Sequence, residues 1–474
     1  MFWWQKAAEL VRTGKAQRFG FITTNSIHQT FNRRVVEKHL NDTKNPLTLA
    51  FAIPDHPWVD TVDGAAVRIA MTVASTNAGF GELKRVVNEA EIDDGEQAVE
   101  LQTNLGSVGA NLKIGATVAS TKGLTSNSKI HNRGVIPVGK GFTVTKDEAN
   151  RFTDEFVIGE HRIIRPLRNG KDITQRSRDE YIIDCLGLSL SELRIKAPNI
   201  YQYLLSNVKP QRDQVKRESH KKNWWIFGEP RKTLRPALKG LARQIATVYV
   251  AKHRFFVFLE SEILADDASH LSILNSAIHI IWALAQGGRL EDRPRYNNSR
   301  CFETFPFPDL AEDNPPSLQS GVACPLKARI RELGEQLDAH RKKQQAAHAD
   351  LTMTGMYNVL EKLRREEPLT DKEKKIHDAG LVTLLKQIHD EIDTAVLEAY
   401  GWTDLANATP LADRLAQGDE TLEQEILTHL VDLNHQRAAE EAKGKIRWLR
   451  PEYQDPEFGD LKAETGDLRT KQTE

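Results

Sequence analysis

The feature that most constrains this chain is the run Gln17-Arg-Phe-Gly-Phe-Ile-Thr-Thr-Asn-Ser-Ile27, preceded by the amphipathic stretch Phe2–Val11. Helix and strand patterns alternate from there to residue 75, which predicts an α/β layer. The apolar run Phe19–Thr23 reads as a strand covered on both faces. Thr30–Leu40 reads as a helix and Leu47–Ile53 as a second strand. Ala65–Val73 reads as a third strand, after the turn signal Asp63-Gly64. Phe2, Trp3 and Trp4 follow Met1 at once and read as core residues, not as a leader. The expectation is a chain that opens inside a helix–strand unit, as the later part of a larger α/β enzyme whose front would bind a cofactor.

At 474 residues there is room for roughly two to four domains. No run approaches the ~18 apolar residues of a membrane span, and no basic segment leads into an apolar one as in a secretory signal. The three cysteines, Cys185, Cys301 and Cys324, are widely spaced. They suit a reducing cytoplasm and spell neither a disulfide framework nor a zinc site. A cytoplasmic protein without membrane partner or metal is expected.

The net charge of −1 hides an asymmetry. Residues 165–255 hold 20 Lys and Arg against 8 Asp and Glu, while 88–96 are acidic. A basic block of this length in a neutral chain is the footprint of polyanion binding. Within it, Lys209, Arg212, Lys216, Arg217, His220, Lys221 and Lys222 run into Trp224-Trp225, and Arg231, Lys232, Arg235, Lys252, His253 and Arg254 continue the series. Packed tryptophans with exposed bases would neutralise phosphates. A second basic stretch, Arg289 to Arg300, offers Arg293, Arg295, Asn297 and Arg300. Arginine and asparagine are the side chains that read guanine and adenine edges.

The remaining organisation reads as a mixed region over 76–310, broken by glycines. A proline- and acid-rich linker over 311–325 and a helical region over 326–454 follow, then a disordered tail over 455–474. Leu326, Ile330, Leu333 and Leu337 give one helix an apolar seam. Leu384, Leu385, Ile388, Ile392 and Val396 share a face of another. Thr370 with Glu373 and Thr421 with Gln424 read as capping boxes. Pro451 reads as the close of the last helix. The segment Gly134-Val-Ile-Pro-Val-Gly-Lys-Gly141 has the spacing of a phosphate-binding loop. It lacks the Ser/Thr for magnesium, and Phe142–Thr145 after it looks like a strand where that loop needs a helix N-terminus. His56 beside Asp55 reads as a loop contact. Trp58, between two strands, could be core or could stack on a planar substrate.

Several long blocks together resemble one bacterial family. They are Phe19–Ser26, Asp55-His-Pro-Trp-Val-Asp60, Asp63–Met71, Asn223-Trp-Trp-Ile-Phe-Gly-Glu-Pro-Arg231, Lys252–Phe258, Arg293–Asn297, Met356–Leu363 and Ile446–Pro451. The family is the DNA adenine-N6 methyltransferases of type II restriction-modification systems with a fused target recognition domain. The resemblance implies part of a Rossmann-like core over 1–75, then a mixed α+β recognition domain binding double-stranded DNA, then an all-α region. It implies S-adenosylmethionine as cofactor of the complete enzyme. Neither the Asp-Pro-x-Cys-Gly-x-Gly cofactor loop nor Asn-Pro-Pro-Phe/Tyr occurs in these residues, so no catalytic residue is assigned and an upstream methyltransferase polypeptide is an expected partner. Trp58 occupies the position of the family's base-stacking aromatic. The DNA contacts expected are Arg212, Lys216, Arg217, Lys221, Lys222, Arg231, Arg254, Arg293, Arg295, Asn297 and Arg300. A free-standing specificity module without catalysis, or a decayed gene fragment, is the alternative reading.

Overall fold

The structure is a computed structural model that describes residues 1–455, apart from 29, 43, 58–66, 77–78, 93–95, 116–117, 159–160, 240, 261–267, 291–292 and 311–324. It is mixed α and β, and its contacts divide it into two compact units. One comprises residues 1–124, 281–306 and 414–445; the other comprises 125–280, 307–413 and 446–474.

In the first unit, helix α1 (Phe2–Arg12) leads into strand β1 (Arg18–Thr24), and helix α2 (Thr30–Leu40) precedes β2 (Thr48–Pro57). Strands β3 (Arg68–Ser75), β4 (Gly81–Ile92) and β5 (Glu96–Gly106) complete a sheet in the order β1-β3-β2-β4-β5. β3 runs antiparallel to both β1 and β2. The pair Phe51↔Glu82 joins β2 to β4 in parallel, so the sheet runs on to Gly106, past the boundary expected at residue 75.

Two expectations about the opening segment are corrected. A helix turns by about 100° per residue, so α1 can bury only one stripe. That stripe is Trp4, Ala8 and Val11; Phe2 and Trp3 are 64% and 72% exposed. Trp4 sets its ring edge-on to Phe19 at 5.0 Å and donates from Nε1 to Thr72 Oγ1 at 3.4 Å. β1 is an edge strand whose residues alternate between exposed and half-buried, with Ile22 55% exposed, so it is not covered on both faces.

The helical stretch expected as one region is shared between the units. The helix Glu420–Glu441 belongs to the first, where Lys113 Nζ meets Glu423 at 2.8 Å. In the second, Pro325–Ala347 packs on Ala268–Asn275 and Val382–Tyr400. Gly334 permits the closest approach, since a Cβ there would lie 2.4 Å from the Ala268 carbonyl oxygen. Ile330, Leu333 and Leu337 are buried as their seam predicts, and so are Leu385, Ile388, Ile392 and Val396, while Leu384 is 44% exposed.

Thr370 and Glu373 form their capping box. Thr421 lies inside its helix, which Asp419 caps by accepting from Leu422 N–H, and Pro451 opens the short helix Pro451–Gln454. The apolar stretch from Ala268 to Gln286 forms two helices, Ala268–Asn275 and Ala277–Gln286, bent by 63°. Among the described residues no single helix is long and apolar enough to cross a membrane. The expected linker 311–325 and tail 455–474 lie almost wholly outside the described residues.

Candidate nucleic-acid interface

The basic block of the second unit rests on a small mixed core. A three-stranded sheet (Thr143–Val144, Tyr181–Ile183, Ile164–Pro166) packs with the helices Leu190–Lys196 and Pro198–Asn207 around Phe142, Ile163, Ile182, Leu193, Leu204, Trp224 and Phe227. Both tryptophans pack as expected: Trp224 is buried, and half-buried Trp225 donates from Nε1 to the Leu188 carbonyl at 3.0 Å. The segment after residue 129 lies against 226–233. Ile136 and Glu229 exchange both backbone hydrogen bonds at 3.0 Å, and Gly228 N–H donates to the Pro137 carbonyl at 3.1 Å.

Burial then sorts the candidate cations. Arg212 is 1% exposed; its Nη2 donates to the carbonyls of Pro137 (2.8 Å) and Ile226 (2.9 Å), and its guanidinium lies 5.4 Å from the Phe142 ring centre. Arg254 is 8% exposed and donates to Thr247 Oγ1 at 3.1 Å and to the Val248 carbonyl. Both are interior struts and not DNA contacts. Their planar, many-donor heads tie loop carbonyls together, which a count of charges along the sequence cannot reveal.

Other members of the block are spent on carboxylates. Arg178 grips buried Asp172, Arg235 binds Asp184, Arg243 pairs with Glu335, and Lys209 pairs with Asp213. Lys221 pairs with Glu218 at 2.8 Å and half-buried Arg231 with Glu229. Lys216, Arg217 and Lys222 are exposed, as are Lys129, Arg133, Lys140 and Lys232 nearby in the same unit.

The second basic stretch lies in the first unit. Gly288–Leu290 and Arg293–Arg295 pair as two antiparallel strands, with Arg293 exposed and Arg295 and Asn297 half-buried. The Asn297 carbonyl accepts from Arg300 N–H (2.9 Å) and Cys301 N–H (2.7 Å), which starts the wide π-helical turn Asn298–Phe302. Half-buried Arg300 has its pKa lowered by burial and then by the nearby guanidiniums of Arg33 and Arg34. Arg33, 5% exposed, is offset by Glu37 at 2.8 Å. Like charges gathered this way favour an anionic ligand. Arg33 and Arg34 were missed because they lie 267 and 266 residues upstream of Arg300, on α2, with nothing local to mark them. Trp58 lies outside the described residues, and those residues hold no cluster that could bind a metal.

Residues 116–309 match the family described as MmeI, target recognition domain. Over 400 residues the chain is 21% identical to DNA methyltransferase A of Bacillus subtilis (strain 168), covering 79% of this chain and 42% of that protein. The fold resembles that of the type IIL restriction-modification enzyme MmeI, solved in complex with DNA. The TM-score is 0.56 and the identity 17%, covering 92% of this chain and 52% of the other. The chain thus spans about half the length of the relatives it matches. By these likenesses the chain is similar to DNA methyltransferase A over most of its length, and its residues 116–309 match the MmeI target recognition domain.

Proposed function

We propose that this chain supplies DNA target recognition to a site-specific adenine-N6 methyltransferase. The observation that carries the reading is the match of 116–309 to a target recognition domain whose surface keeps Lys216, Arg217 and Lys222 exposed. Lysines and arginines held at a surface by a packed core release counterions from duplex DNA and set the register in which neighbouring side chains meet the bases. Arg293, Arg295, Asn297 and Arg300, with Arg33 and Arg34, would add a second anionic contact in the other unit.

The sheet β1-β3-β2 is read as the later strands of a Rossmann-like core, and cytoplasmic residence belongs to the same reading. The open edge of β1 and exposed Ile22 suit pairing with a further strand from an upstream methyltransferase polypeptide. S-adenosylmethionine is assigned to the complete enzyme. At the carboxyl end of β1, Thr24 and Ser26 bond each other at 2.6 Å, and Asn25 donates to Asp55. That self-satisfied set does not fit the cofactor.

The test is duplex binding by the chain at rising salt, then methylation after an upstream methyltransferase polypeptide is supplied. Binding should weaken steeply with salt, and methylation should require the second polypeptide. Salt-insensitive binding, or none, overturns the reading. Trp58 keeps its proposed role as the aromatic that stacks on the flipped adenine. Trp58→Ala should abolish methylation by the reconstituted enzyme and spare DNA binding.

A further inference from the structure

We propose that the loop Arg133–Lys140 is a wedge that enters the DNA duplex, with Val138 and Ile136 set against the bases while the surrounding cations hold the phosphates. The proposal rests on the duplex-binding reading above and adds to it an apolar insertion beside the phosphate contacts.

Three independent features of the loop point this way. The first is apolar surface in a basic setting. Ile136 and Val138 are 42% and 39% exposed, between the exposed cations Arg133 and Lys140. The second is backbone strain. Val138 has φ of 55°, a left-handed conformation that a β-branched residue rarely takes. The third is a clamp that prevents the strain from relaxing. Ile136 is paired to Glu229 by two backbone hydrogen bonds, and Pro137 O accepts from both Gly228 N–H and buried Arg212.

The loop also sits beside phosphate-binding chemistry. A Cβ on Gly228 would lie 2.5 Å from Val138 Cγ2 and 3.1 Å from His220 Cε1, so Val138 and His220 flank the same glycine. His220 lies on the helix Glu218–Lys222, which presents Lys221 and Lys222, and it feels the charges of Arg212 and Arg217. An apolar side chain that parts two stacked bases needs a rigid carrier and nearby cations to offset the cost of unstacking. The Gly134–Gly141 spacing is accounted for in the same way. Lys140–Phe142 is a single tight turn leading into the strand Thr143–Val144, so the segment has no helix N-terminus to cradle a phosphate.

The test begins with a duplex enriched from a random pool by binding to the full chain, then carrying 2-aminopurine at each adenine in turn. Wild-type protein should raise the emission at one step, where the base is unstacked. Val138→Gly keeps the left-handed backbone at no steric cost and removes the wedge. It should abolish the rise and bind about tenfold more weakly, with thermal unfolding no lower than wild type because the strain at Val138 is relieved. Val138→Asn, which also tolerates this conformation, should behave likewise. Unchanged emission and affinity in Val138→Gly overturn the wedge. A wild-type complex with no rise at any position also overturns it, while leaving duplex binding intact. Failure to enrich any duplex removes the duplex-binding reading itself, and the wedge with it.

Discussion

Asn434 clamps Lys122. The fully buried Asn434 side chain accepts from Lys122 N–H and donates to the Lys122 carbonyl, both at 2.9 Å, and also donates to the Thr304 carbonyl at 2.7 Å. It ties the helix Glu420–Glu441 to both ends of the segment that matches a target recognition domain. Asn434→Ala would leave the Lys122 N–H and two carbonyls without this partner. A loss of about 2–4 kcal/mol is expected for the first unit, read by urea unfolding. A loss below about 0.5 kcal/mol would mean that the clamp is ornamental.

The exposed cations should show themselves through salt. Converting Lys216, Arg217 and Lys222 together to glutamine should flatten the slope of log affinity against log salt by up to about 3 and leave thermal stability nearly unchanged. An unaltered slope would place the DNA elsewhere.

Buried and half-buried arginines should separate in the opposite sense. Arg212→Met strips donors from two carbonyls and should cost about 2–4 kcal/mol of stability. Arg300→Met relieves repulsion from Arg33 and Arg34. It should leave stability within about 1 kcal/mol of wild type while weakening DNA binding. Equal destabilisation by the two substitutions would contradict this assignment.

His279 sets a pH limit on the second unit. It is fully buried, and burial, then the charge of Arg254, push its pKa down to about 3. The unfolded chain would take up a proton near pH 6.5, which the folded one refuses. Its stabilising contribution is therefore whole above pH 6.5 and is lost as pH falls toward 3, on the order of a few kcal/mol. Asp393, raised to about 7 by burial, acts with the opposite sign, so the comparison is between proteins at each pH. His279→Phe should lose less stability than wild type from pH 7 to pH 4 by thermal unfolding. Parallel curves would show that His279 does not titrate as described.

The local grammar of the sequence carried far. The capping box at Thr370 and the seam Ile330, Leu333, Leu337 each lie within one element, where periodicity and hydrogen-bond reach are fixed by the backbone. The blocks from Asn223 to Arg231 and from Arg293 to Asn297 likewise pointed to DNA recognition before any fold was known. Only tertiary structure decided which charges remain at the surface. Arg212 and Lys216 are neighbours in sequence, yet one fastens the loop at Pro137 and the other faces solvent. Tertiary structure also extended the first sheet through β4 and drew Glu420–Glu441 into the first unit. The physical reason is that burial and long-range pairing depend on which distant segments meet, and no spacing along the chain encodes that directly.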